Sequence, residues 1–185
     1  MGYQTSTACY IPFFRQVREQ MALLDILRFP DKRLRQKAQQ VEHIDEKIEQ
    51  IVADMFETMY QFAGIGLAAI QVNIKKSIIV MDLSPEKNQP ECFINLKILE
   101  KKGQEKYEEG CLSVPGIYEE VTRAHWIKYR ALNQQGETIE AECTGLNAIC
   151  LQHELDHLNG KLFTDYVSAL KLKRARRQLL KDQKE

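Results

Sequence analysis

The segment His153-Glu154-Leu155-Asp156-His157 constrains this chain more than any other, because histidines four residues apart meet on one face only if the backbone between them is helical. Held that way, the two imidazoles can grip a single divalent ion, with Glu154 beside them in reach of a water on that ion. Leu146, Ile149 and Cys150 share the histidine face. The helix must therefore carry its working side against an apolar wall, of a kind that suits an unbranched side chain such as methionine. The spacing predicts a helix over about 144–159, stopped by Gly160.

Two histidines do not complete a hydrolytic metal centre, which takes three protein ligands and leaves one position open for water. No histidine follows His157, and the acids beyond it are Asp165, Asp182 and Glu185. The third ligand is therefore Asp165 or comes from elsewhere in the chain. Cys111 is the best candidate, since Gly110 and the Leu-Ser-Val-Pro turn that follows expose backbone around its thiol. Residue physics alone does not rank it far above Cys92 or Cys143.

The rest of the chain reads as one ordinary domain. It has 185 residues, 26 basic against 26 acidic, and 44% hydrophobic, which places it among folded globules and away from disordered chains. The zero net charge argues against a surface built as a whole for DNA or a membrane. The best apolar run, Ser77 to Leu83, is strand-sized and too short to span a bilayer. Five cysteines, an odd number without a C-x-x-C pair, fit a reducing compartment.

Residues 1–20 carry no period and read as an appendage, a cloning remnant or an alternative start. Their Met-Gly-x-x-x-Ser opening and their lack of acids before Glu19 formally fit myristoylation or a transit peptide. Residues 21–185 form the patterned domain. Apolar positions Ile48, Ile51, Val52, Met55, Phe56 and Met59 predict a helix capped by Asp45. Residues 77–82 and 92–96 predict strands, and residues 121–132 and 137–143 predict a hairpin through Asn133-Gln-Gln-Gly136. The stretch before Glu109 reads only as charged, and a last helix is expected from about Asp165 to the end. The fold class is α+β, with antiparallel or mixed sheets around the central metal-binding helix.

Gly64-Ile-Gly-Leu-Ala-Ala69 spells G-x-G-x-x-A, but a helix precedes it and a strand follows, the reverse of a dinucleotide site. It reads instead as a loop that lets substrate backbone come close, ending in Gln71, whose amide can donate to a carbonyl oxygen.

Gly64-Ile-Gly-Leu-Ala-Ala-Ile-Gln71, Glu109-Gly-Cys-Leu-Ser113 and Gln152-His-Glu-Leu-Asp-His157, in that order and spacing, resemble the three signature motifs of peptide deformylase. The resemblance runs from about Met21 to the C-terminus and includes Leu27-Arg-Phe-Pro-Asp-Lys-Arg-Leu34. It implies a cytoplasmic bacterial enzyme, or less directly an organellar one, that removes the formyl group from the initiator methionine of nascent polypeptides. It also implies Cys111, His153 and His157 as metal ligands, Glu154 as general acid/base, and Gln71 with the Leu112 N–H as the carbonyl-stabilising pair. The family usually holds Fe(II) and also works with nickel, cobalt or zinc. Backbone at Ile65, Gly66 and Gly110 would receive an extended peptide in the manner of an added strand. Two departures stand out: Ile70 in the first motif, and the stretch Gly116-Ile-Tyr118 after Pro115, where some relatives carry an arginine at the cleft mouth.

From Tyr166 to Glu185 the chain carries seven basic residues against two acidic ones, a segment charge of +5. That asymmetry favours a polyanion, and the resemblance points to the ribosome. Two rivals remain at this level. A zincin-like peptidase would need a downstream third ligand, and a binding module with structural zinc would need four ligands closing the ion.

Overall fold

The computed structural model describes residues 22–182. The N-terminal appendage read at 1–20 lies outside the described residues, as do 183–185. Helix α1 (Glu46–Gln61) starts where expected, its Asp45 side chain accepting the Ile48 N–H at 3.0 Å. Strand β1 (Gly66–Ala68) and a 3-10 turn at Ala69–Val72 follow, then β2 (Ile78–Met81), β3 (Glu91–Lys102), β4 (Glu105–Glu109) and β5 (Glu119–Arg123). The chain continues through β6 (Trp126–Leu132), β7 (Thr138–Thr144), α2 (Gly145–Leu158) and α3 (Ala169–Asp182).

Five strands form one antiparallel sheet in the order β1-β2-β3-β6-β7, and β4 pairs with β5 in a separate ribbon. In β2 successive side chains go to opposite faces. Ile78 and Val80 join α1 in one core, whereas Ile79 and Met81 join α2 in another. Both faces are covered, which is why β2 reads as an unbroken apolar run and not an alternating one. A third core, with Leu27, Leu34, Val121, Leu162 and Phe163, closes the ribbon side. The fold is the expected α+β arrangement around α2. Among the described residues no helix is long and apolar enough to cross a membrane.

Four local expectations change. The loop at 64–71 contains β1, whose three small or apolar residues become a strand through pairing with β2. The charged stretch before Glu109 is the end of β3 and then β4. The single strand read at 121–132 is two, because Gln152 on α2 takes both backbone groups of Ala124: its Oε1 accepts the N–H at 3.2 Å and its Nε2 donates to the carbonyl at 2.9 Å. The last helix starts later than Asp165. That residue sits in a 3-10 turn, Phe163–Tyr166, where it accepts the Leu162 N–H at 3.0 Å and two bonds from Arg35.

Candidate metal centre and peptide cleft

Helix α2 is buried almost all round, with Ala148 to Glu154, His157 and Leu158 all inside. It ends at Gly160, whose φ of +72° and contact with the Arg35 carbonyl leave no space for a side chain. His153 and His157 lie one turn apart, their ring centroids separated by 4.9 Å and their Nε2 atoms by 3.2 Å. Across from them, in the turn after β4, Cys111 brings its Sγ to 3.2 Å from the His157 Nε2. These three donors form the one group of potential metal ligands among the described residues. Cys92 is in the core, Cys143 lies on β7, and Asp165 is held by Arg35.

The candidate donor atoms are aimed by their neighbours. Glu109 accepts the His153 Nδ1 at 2.7 Å, which leaves Nε2 for an ion. Arg123 then holds Glu109 through two bonds of 2.7 and 3.0 Å and also grips Asp156 on α2. The Tyr166 ring lies against this guanidinium at 5.0 Å. The His157 Nδ1 has no protein partner among the described residues, so that ring is oriented by its packing and by the contacts of its Nε2 with Cys111 and His153. One thiolate and two imidazoles are a donor set suited to a divalent transition metal. Burial lowers the pKa of His157 well below its ordinary value, and the charge on His153 adds to this.

A cavity of about 560 Å³ opens beside the ligands. It is lined by Ile65, Gly66, Gln71, Gly110, Cys111, Leu112, Leu146, Ile149, Cys150, His153 and Glu154. Apart from His157, which is 1% exposed and sits behind it, the residues that the family resemblance implied for the site line this one cleft, whereas Cys92, Cys143 and Asp165 do not. Glu154 is outside the ligand group. Its carboxyl lies under Gly66, where an added Cβ would stand 2.6 Å from Oε1 and 2.9 Å from the Cys150 sulfur. Burial raises its pKa to about 7, while the charge on His153 pulls the other way. Its Oε2 has no protein partner among the described residues. A buried carboxyl balanced near neutrality can both accept and return a proton.

Gln71 is fixed in one sense. Its Oε1 accepts the Ala68 N–H at 2.8 Å, so its Nε2 faces Ser113 at 3.1 Å and the Cys111 sulfur at 3.6 Å. The Leu112 N–H has no protein acceptor among the described residues. At Ile65 the carbonyl accepts the Asp82 N–H at 3.0 Å. Only its N–H is left for a peptide. Consecutive carbonyls along a strand point to opposite edges, so the Gly66 carbonyl faces the open side of β1, the end strand of its sheet.

A family profile described as polypeptide deformylase matches residues 23–173. The chain belongs to the polypeptide deformylase family. As a member it is a metal-dependent hydrolase that takes the N-formyl group off newly made polypeptides. It is 55% identical over 164 residues to the peptide deformylase of Neisseria gonorrhoeae, covering 89% of this chain and 98% of that one. The crystal structure of a peptide deformylase from Legionella pneumophila superposes with a TM-score of 0.83 at 44% identity, over 88% of this chain and 96% of that one. A Met-Ala-Ser bound deformylase from Acinetobacter baumannii gives a TM-score of 0.74 at 33% identity, over 79% and 99%.

Sequence reasoning gave no role to Glu109, Ser113, Arg123 or Asp156 in this deformylase site. Glu109 and Ser113 flank Cys111 within the second motif, and Asp156 stands three residues after His153, a spacing that puts both on one side of α2. Arg123 carried no signal, because a charged residue on a short strand reads as surface.

Proposed function

We propose that Cys111, His153 and His157 hold one divalent ion, Fe(II) in the cell, and that the remaining site residues act on a formyl-methionyl peptide lying across it. The convergence of the three donor atoms beside an open cavity carries this reading. When bound, the ion supplies Lewis acidity and lowers the pKa of a water. Glu154 would take a proton from the attacking water as the water oxygen bonds to the formyl carbon, and return it to the amine nitrogen as the C–N bond breaks, so that formate and a free N-terminus leave together. Gln71 Nε2 and the Leu112 N–H donate to the formyl oxygen as negative charge builds on it, a role worth about 3 kcal/mol per donor. The Ile65 N–H, the Gly66 carbonyl and Gly110 receive the peptide backbone along the open edge of β1. That the Acinetobacter relative was solved with Met-Ala-Ser bound supports a peptide as the occupant.

Anaerobically purified protein should carry one ion per chain and release formate with iron, nickel or cobalt, and less well with zinc. Undiminished turnover by chelated, metal-free protein would contradict the ligand assignment.

Leu146, Ile149 and Cys150 form the wall that receives the methionine side chain. Ile149→Trp should fill that space and lower kcat/KM for formyl-Met peptides about tenfold or more, while formyl-Gly peptides lose far less. Equal losses on both substrates would instead indicate damage to the metal site.

Residues 21–185 act as a single catalytic domain in the bacterial cytoplasm, a setting supported by the scattered cysteines and the bacterial relatives. The basic tail docks on the ribosome. Lys171, Lys173, Arg174 and Arg177 are exposed on α3, and several phosphate contacts would make the association fall steeply with salt. Truncation after Leu170 should abolish salt-sensitive ribosome pelleting and spare turnover of short formyl peptides. Equal pelleting of both forms at low salt would rule out this role.

A further inference from the structure

Phe62, Ala63, Gly64, Ile65 and Gly66 line the cavity as one continuous wall between the end of α1 and β1. The turn that builds it is strained. Ala63 sits at φ +54°, a left-handed conformation that its Cβ disfavours and that persists only where the surroundings enforce it. Ala63 donates to the Tyr60 carbonyl at 3.1 Å and Gly64 to the Met59 carbonyl at 2.9 Å, closing the helix. Leu112 and Met59 pack so closely on Gly64 that an added Cβ would stand 2.9 Å from the Leu112 Cδ1 and 3.2 Å from the Met59 Cγ.

Asp82 fastens this wall at both ends. Its backbone N–H donates to the Ile65 carbonyl at 3.0 Å, and its carboxylate accepts the Tyr60 hydroxyl at 2.7 Å from the last turn of α1. The carboxylate is itself held from the far side. It accepts the Ser84 N–H at 2.9 Å, the Ser84 hydroxyl at 2.6 Å and the Gln89 N–H at 3.2 Å. Asp82 is 2% exposed and does not line the cleft, so it reaches no reacting atom.

We propose that Tyr60 and Asp82 are positioning residues that set the β1 edge, holding the Ile65 N–H and the Gly66 carbonyl in register for an extended peptide. This rests on reading β1 as the peptide edge and deepens it. Releasing the lock leaves the ligands on α2 and in the Cys111 turn where they are, so its effect falls on peptide binding and not on chemistry.

The test is Tyr60→Phe in the full-length, metal-loaded enzyme, with formyl-Met-Ala-Ser as substrate. Loss of one hydrogen bond should raise KM about fivefold, with kcat held within about twofold and metal content unchanged. Asp82→Asn, with one acceptor oxygen in place of two, should act in the same direction, and amide exchange at residues 65–68 should quicken in both variants. An unchanged KM alongside a lowered melting temperature would overturn the proposal, since the hydroxyl would then serve stability alone. A fall in kcat with loss of metal would overturn it as well, by moving the lock's role to the metal centre. Failure of the unmodified enzyme to release formate would instead strike the activity on which the proposal rests.

Discussion

Glu154→Gln should keep one ion per chain and lose about 10²–10⁴-fold in kcat, the usual worth of a positioned proton carrier. The substitution preserves volume where Gly66 and Cys150 press on the side chain, so packing is not the variable. Metal should stay because Cys111, His153 and His157 form the ligand group without it. What disappears is a buried group with a pKa raised to about 7 by its burial, able to hold a proton between water and amine. Metal analysis and steady-state kinetics on one preparation separate the possibilities. A variant that has lost its ion would make Glu154 a ligand and contradict its proposed role.

Arg123→Ala should be the most damaging change away from the ligands themselves. The guanidinium is 6% exposed and neutralises Glu109, 3% exposed, together with Asp156. Burial works against its charge, but the two carboxylates outweigh that and carry its pKa above the ordinary arginine value. Removing it strands negative charge in the interior, which costs about 3–5 kcal/mol. Glu109 would also stop steering the His153 Nδ1, and metal affinity should fall about 10–100-fold. Arg123→Lys should rescue little, since one ammonium cannot reproduce a planar fork between two carboxylates. Denaturant unfolding and competitive metal titration measure the two effects. A loss of stability below about 1 kcal/mol would show that the network is not what holds the ribbon to α2.

The metal helix was legible because its signal is local: two histidines at helical spacing, an apolar wall on the same face and a glycine stop. The third member of the donor group was not, because Cys111 reaches the histidines only through the β4–β5 ribbon, and nothing near it in sequence marks that approach. The ribbon was hidden for a related reason. In Glu105–Glu109 the inward-facing residue next to the site is a carboxylate, buried only because Arg123 meets it from the paired strand. Read alone, such a stretch looks solvated. β1 escaped because three residues gain strand character only from β2, and the break at Ala124 because Gln152 competes for its backbone from α2. The motifs resembling peptide deformylase supplied what local physics left open at Cys111, and the geometry of Cys111, His153 and His157 is consistent with that assignment.

The central claim is hydrolysis of a formyl amide at a metal held by these three residues. It is tested most directly by measuring formate and free amine from formyl-Met-Ala-Ser alongside acetyl-Met-Ala-Ser, with anaerobically prepared iron enzyme. Formate and amine should appear in equal amounts from the formyl peptide, the acetyl peptide should be processed far more slowly, and chelation should stop the reaction. Cleavage within the peptide chain, or no formate from fully metal-loaded protein, would contradict the account.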